Sequence, residues 1–395
     1  MSFSNMLEIL QEKNKDRIVL IRLGTFYIAT GRDALLLHTK LDLKCTCFKN
    51  NVCKVGIPVM SINKYFDKQL TYEKLMVAHK LSRKGKGYRK DVILFNLKQE
   101  EYIMWLYEKL KNKTYKHGGY TVFYITEPKV RKIEKSRYID RIVHRWVVDI
   151  FLVPYFVPTF INTTYACLKG RGMHKACLDV QKAMLHCKRI WNEYYILKMD
   201  IKKYFENINK NILYRILKKK IKDQKLLWLI NEIVFSNEGI KNLPIGNYTS
   251  QMFANIYLNE LDQYIKHKLH CEYYYRYMDD GIILIKTKEQ AKEILENIKI
   301  FLKENLELEL NKKTQIFKSK QGVNFCGYKI NEYRLKIRDK GKRKLKKKVK
   351  ELKYYIREGK LTSKEAKKYL AGHLGYLKIA NVNNLTKKIF YLEDE

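Results

Sequence analysis

The chain has 395 residues, with 80 Lys plus Arg against 41 Asp plus Glu and a formal net charge of +39. That length holds two or three domains, each with its own core, so size is no obstacle to an enzyme. A basic excess spread along the chain favours a polyanionic partner, nucleic acid first, because each phosphate contact releases counterions; Lys accepted wherever a surface tolerates it is the plainer alternative.

The eight cysteines form no secreted disulfide framework, and Cys45, Cys47 and Cys53 lack the second pair that a zinc knuckle requires. The first residues carry no continuous apolar signal segment and no window reaches the length of a membrane span, so a reducing cytoplasm and no membrane are expected.

In chain order, RIVLIRL at 17–23 reads as a buried strand, residues 31–40 as a helix with one apolar face, and 60–70 as a second short helix. SRKGKGYRKD at 82–91 is polar, basic and Gly-containing, which marks an exposed loop or domain junction. YYILKMDIKKYFENI at 194–208 is an apolar strand ending at Asp200, with Phe205 five residues on. LPIGNYTSQMFANIYLNELDQYIKHKL at 243–269 opens as a loop, and Thr249 or Ser250 can cap the helix that buries Phe253, Ile256, Tyr257, Leu261 and Ile265. YYYRYMDDGIILI at 273–285 is β-rich on both sides of Asp279 and Asp280, and predicts a hairpin with the acids at its tip and Asp280-Gly281 available for the turn. Leu345, Val349, Leu352 and Ile356 then recur at helical spacing within a Lys-rich run, and Thr362 and Glu365 stand at capping-box spacing before another helix.

A solvated acidic turn explains one acid site but not two. If the strands ending at Asp200 and Asp279 lie in one sheet, the carboxylates converge, and at about 4 Å they repel by roughly 4 kcal/mol at an effective dielectric near 20. Divalent magnesium is the usual remedy, since it takes oxygen ligands and accepts substrate phosphates. Paired ions of this kind serve in-line nucleotidyl transfer.

The order Asp200 with Phe205, LPIGNYTSQ, YMDD, then NFCGYKI at 324–330 resembles the reverse transcriptases, specifically the bacterial group of group II intron, retron and diversity-generating retroelement enzymes. The resemblance runs from about residue 72 to the C-terminus. It implies an α+β right-hand polymerase, with fingers and palm over 72–330 and a basic helical thumb over 331–395. The implied activity is RNA-directed DNA synthesis from dNTPs on an RNA template and a DNA or RNA primer, with an accessory protein or dedicated non-coding RNA as a further partner. Asp200, Asp279 and Asp280 would be the catalytic and metal-binding residues for two Mg2+ ions, with Mn2+ as the alternative metal. Phe205 would be the steric gate against a ribose 2′-OH, and Lys129 and Arg131 would hold the triphosphate. Ile201, Ile245, Gly246, Ser250, Gln251, Tyr277 and Met278 would surround the incoming nucleotide and nascent pair. Phe325, Gly327 and Tyr328 would grip the primer, and Lys346, Lys347 and Lys348 would follow its backbone.

The family often reads QG-x-x-x-SP in the loop where this chain has Ile245-Gly246 and Ser250-Gln251. An aliphatic residue in place of Gln is the diversity-generating pattern and implies error-prone copying at template adenines, since an amide near the nascent pair is lost. Defence-associated bacterial reverse transcriptases share the outline, so an antiphage polymerase with a dedicated or no external template is the alternative. A non-catalytic RNA-binding scaffold is a further one.

Residues 1–71 resemble a second family. DRIVLIRLGTFYIATGRDALLLHTKLDLKCTCF and KVGIPVMSINKYFDKQL look like the first domain of the mismatch-repair protein MutS, a small α/β nucleic-acid-binding module. Phe26 matches the wedge that family inserts beside a mismatched base, while its accompanying Glu is Ile28 here. The absent acid speaks against mismatch reading, and duplex or structured-RNA binding or plain packing remain the readings for this segment.

Overall fold

The computed structural model describes residues 65–126 and 130–382, with short stretches at 11–12, 21–23, 26–30, 32–34, 36, 45–47, 53–58 and 385. The fold is mixed α/β. It divides into two compact units, one of Met1–Gly118, Tyr138–Trp146 and Tyr214–Ser236, the other of Gly119–Arg137, Val147–Leu213 and Asn237–Glu395.

In the first unit, β1 (Ile21–Leu23), β2 (Phe26–Thr30), β3 (Cys45–Cys47) and β4 (Cys53–Pro58) form an antiparallel sheet in the order β1-β2-β4-β3. Ile21–Leu23 falls in the expected first strand, residues 32–34 and 36 are helical, and Tyr65–Gln69 is the expected short helix. Ile28, at the position where the MutS-like pattern has Glu, is buried, so that site is apolar core and offers no acid to a ligand. Helices Tyr72–Arg83, Lys90–Leu97 and Gln99–Lys111 follow, and Lys84–Arg89 between the first two is the loop that Gly and Lys foretold. Leu75, Val92, Phe95, Ile103, Leu106 and Leu110 fill their shared core, while Phe66 meets Trp146 edge to face at 5.4 Å.

In the second unit, β5 (Tyr120–Ile125) and β6 (Arg131–Ser136) form a separate two-stranded ribbon. The central sheet has the order β10-β7-β9-β8, from β7 (Tyr195–Asp200), β8 (Tyr274–Tyr277), β9 (Asp280–Ile285) and β10 (Gln315–Lys318). Its β-branched and aromatic residues alternate between two faces. Ile196, Tyr275, Ile282 and Leu284 share one core with the Met173–Trp191 helix and with a three-stranded sheet of β11 (Val323–Phe325), β12 (Tyr328–Ile330) and β13 (Leu335–Ile337). Helix Asp339–Arg357 buries Leu345, Val349 and Leu352 against Ala366 and Leu370 of Ser363–Leu377, and Thr362 and Glu365 make the expected reciprocal cap.

Three expectations are corrected. The turn at the acid hairpin is Met278-Asp279, because Tyr277 pairs with Asp280 and Gly281 lies inside β9. Helix Tyr248–His267 starts from Asn247, so Thr249 and Ser250 lie inside it, both buried, and do not cap it. The run Tyr138–Thr159 is a 22-residue helical stretch of mean hydropathy 1.2, long and apolar enough to cross a membrane, with half of its most apolar window buried. Arg145 and Asp149 interrupt the apolar pattern by which such a span is recognised in sequence.

Candidate active site

Backbone pairing brings the acids together. β7 runs antiparallel to β9 with Asp200 opposite Asp280 and Met199 opposite Gly281. Opposed residues of such a pair have Cα atoms about 5 Å apart, and Asp279 is the next residue along, about 3.8 Å away. Gly281 belongs in this register because a Cβ there would stand 2.5 Å from Cε of Met199. Met278 takes the left-handed φ of 56° that the two-residue turn demands. On the β7 side, Asn311 N–H donates to the Asp200 carbonyl at 2.7 Å, and Asp200 N–H donates to Thr314 Oγ1 at 3.3 Å.

The turn is held from below by a buried ion pair that sequence reading missed. Arg276 Nη1 donates to the Met278 carbonyl at 2.9 Å and to Asn255 Oδ1 at 3.2 Å, while Nε and Nη2 grip Asp262. Tyr274 and Thr164 hydroxyls donate to the same carboxylate at 2.8 and 2.9 Å. Burial works against the Arg276 charge, but Asp262 outweighs it and holds the guanidinium above its ordinary pKa.

Burial also raises the Asp279 carboxyl, helped by the charge on Asp200 and opposed by a backbone hydrogen bond, Arg131 and Arg276. Asp280 is pushed up to about 6, chiefly by burial, with Lys198 pulling it down and Asp200 and Asp279 adding to the rise. Lys198 Nζ is ion-paired with Asp280. Among the described residues no three His, Cys, Asp or Glu side chains are gathered around one cation position; Asp280 is turned to Lys198. The donor set nevertheless fits a hard divalent cation: carboxylate oxygens at adjoining backbone positions, two of them disfavoured as anions by burial and by their neighbouring carboxylates.

A cleft of about 860 Å³ opens beside these acids, bordered by Lys198, Asp200, Asp280, Asn324, Lys329 and Arg338 among others. The loop that opens the 243–269 segment lies against β6. Glu134 N–H donates to the Ile245 carbonyl at 3.1 Å, Ser136 Oγ donates to Asn247 Oδ1 at 2.7 Å, and a Cβ on Gly246 would meet Ile133 Cγ2 at 3.1 Å. Gly246 has φ +115°, so this close approach and backbone both call for glycine. Leu243 N–H donates to the Phe205 carbonyl at 2.8 Å, which joins Phe205 to the same loop.

Arg131, Gly246 and Gln251 are exposed, and Phe205, Ile245, Tyr277 and Met278 half-buried. Ile201 and Ser250 are buried, as are Phe325 and Tyr328, which belong to the core, so the exposed positions of that sheet beside Gly327 are Asn324 and Lys329. Lys346 and Lys347 are exposed, whereas Lys348 pairs with Glu351 and lies 5.6 Å from the Tyr369 ring. Lys129 lies outside the described residues, and of Phe26 the backbone alone is described.

A sheet end carrying carboxylates beside a cation-lined cleft is the class of site that handles phosphate-bearing substrates. The family model described as Reverse transcriptase (RNA-dependent DNA polymerase) matches residues 116–330, more than half of the chain, and the chain belongs to that family. A second model, MutS domain I, matches residues 3–99. The chain is 25% identical to the group II intron-encoded protein LtrA of Lactococcus lactis, over 58% of this chain and 50% of that protein. It is 27% identical to the retron Ec73 reverse transcriptase of Escherichia coli, over 51% and 68%, and 25% identical to protein YkfC of Escherichia coli K12, over 48% and 60%. The chain thus spans about half the length of LtrA.

Proposed function

We propose that the protein is an RNA-templated DNA polymerase that extends a DNA or RNA primer with dNTPs, with Asp200 and Asp279 as metal-binding catalytic residues and Asp280 beside them. The observation that carries this reading is the register that sets Asp200 opposite Asp280 at the end of the hairpin whose turn contains Asp279. Two Mg2+ ions, or Mn2+ in their place, would be held by these carboxylates and would supply charge neutralisation for the triphosphate and primer hydroxyl. Arg131, close enough to oppose the rise at Asp279, is suited to the triphosphate. Residues 72–330 would form fingers and palm, 331–395 a thumb, and 1–71 an auxiliary nucleic-acid-binding module. Ile245 beside Gly246 supports error-prone copying as in diversity-generating retroelements; synthesis without added template would instead favour the antiphage reading. The five cysteines whose side chains are described are free thiols, which suits a reducing compartment.

The deciding measurement is dNTP incorporation on a primed RNA template by the full chain. Asp279→Asn removes incorporation and leaves RNA binding intact; undiminished synthesis by that variant would discard the assignment.

A further inference from the structure

A second groove, of about 590 Å³, lies on the sheet that carries the acids and shares no lining residue with the catalytic cleft. One wall is the outward side of the Met173–Trp191 helix, whose inward side is the buried row Ala176, Val180, Met184 and Cys187. The other wall is the edge strand β8 with the segment before the helix, joined by Arg276 N–H donating to the Thr163 carbonyl at 2.9 Å.

The groove is cationic and aromatic. Arg171 is fixed by two bonds from Nη1, to the carbonyls of Ile161 and Thr164 at 2.8 and 2.9 Å, and its other guanidinium N–H groups have no acceptor among the described residues. Lys175 lies 3.4 Å from Asp179, whose other partner is the Tyr165 hydroxyl at 2.8 Å, so the groove's acid is satisfied within the protein. Lys182 is exposed and has no partner among the described residues. Further along the helix, His186 and Tyr273 rings lie 5.9 Å apart, and the facing wall carries Thr163, whose Oγ1 is buried without a hydrogen-bond partner.

Fixed and free cations along one wall, with aromatic rings beside them, match a phosphodiester backbone with a base against a ring. We propose that this groove binds a single-stranded polynucleotide segment outside the copied duplex. An acidic protein would use the cations but leave the ring platform without a role.

The test uses the full chain, a labelled single-stranded oligonucleotide carrying photoreactive 4-thio bases, made as RNA and as DNA, and the variants Lys182→Ala and Lys175→Glu/Lys182→Glu. Wild type should crosslink at Tyr273. The double variant should lose that crosslink, bind roughly tenfold more weakly and show a salt dependence shallower by about two, and Lys182→Ala by about one. Extension of a short annealed primer–template should be unchanged in both, whereas Asp279→Asn should lose extension and keep the crosslink, which separates this groove from the polymerase assignment. Tighter binding of the RNA form would add a 2′-hydroxyl contact to the groove's recognition, and equal binding would assign recognition to the backbone. Unchanged affinity and salt dependence in folded variants, or displacement by polyglutamate as effective as by unlabelled oligonucleotide, would overturn the proposal.

Discussion

Arg276 and Asp262 form a two-pronged ion pair, Nε to Oδ1 at 2.7 Å and Nη2 to Oδ2 at 2.6 Å, with side chains 1% and 0% exposed. The same guanidinium reaches the carbonyl of the acid-bearing turn, so this pair links the buried helix Tyr248–His267 to the position of Asp279.

Asp262→Asn should therefore cost about 3–5 kcal/mol in a denaturant titration, because it strands a buried cation. Replacing both partners, as Arg276→Met with Asp262→Leu, should cost less than the two single changes added together. Additive costs would show that the charges do not act as a unit.

Gly281→Ala should destabilise the fold by about 1–3 kcal/mol, the usual cost of overpacking, since its methyl group would collide with Met199. Shortening the neighbour, as Met199→Ala, should recover part of that loss in the double variant. A double variant as weak as the summed singles would mean the strands are held in register by something else.

His144 is buried with both ring nitrogens unpaired and stacks at 5.3 Å on His117. Burial takes its pKa down to about 3, with the neighbouring His117 and Arg141 pushing the same way. The unfolded chain binds the proton at an ordinary value near 6.5 and the folded chain does not, so stability present above that value is lost as pH falls from about 6.5 towards 3. The slope reaches at most about 1.4 kcal/mol per pH unit. His144→Leu should flatten this limb in melting curves taken across pH; an identical acid profile would clear His144 of the effect.

Ile245→Gln should raise copying fidelity by restoring an amide beside Gly246, measured by sequencing cDNA from an adenine-containing template. Its backbone is already fixed by Glu134, so the loop should keep its shape. Equal error spectra for the two proteins would remove Ile245 from the account of fidelity.

The two acid sites were legible because each interrupts an apolar strand, and the helical pair at 339–377 because its spacing and cap are local. The turn was misplaced by two residues: Asp280-Gly281 has the better turn chemistry, but packing of Met199 against Gly281 assigns glycine to the strand. Phe325 and Tyr328 resemble a primer grip, yet period-two alternation puts them inward and Lys329 outward. Arg276 and Lys198 gave no signal at all. Their partners are in other elements, and one charge within a strand does not reveal which face it takes.

The order of strands in the central sheet also constrains synthesis of the protein itself. β7 leaves the ribosome long before β9, which pairs with it along one side, and β10, which closes the other. Contacts so distant along the chain form late and slowly. The emerging polypeptide therefore carries Asp200 for tens of residues before the second acid site exists, so a product that ends before Asp279 holds one acid site without the other.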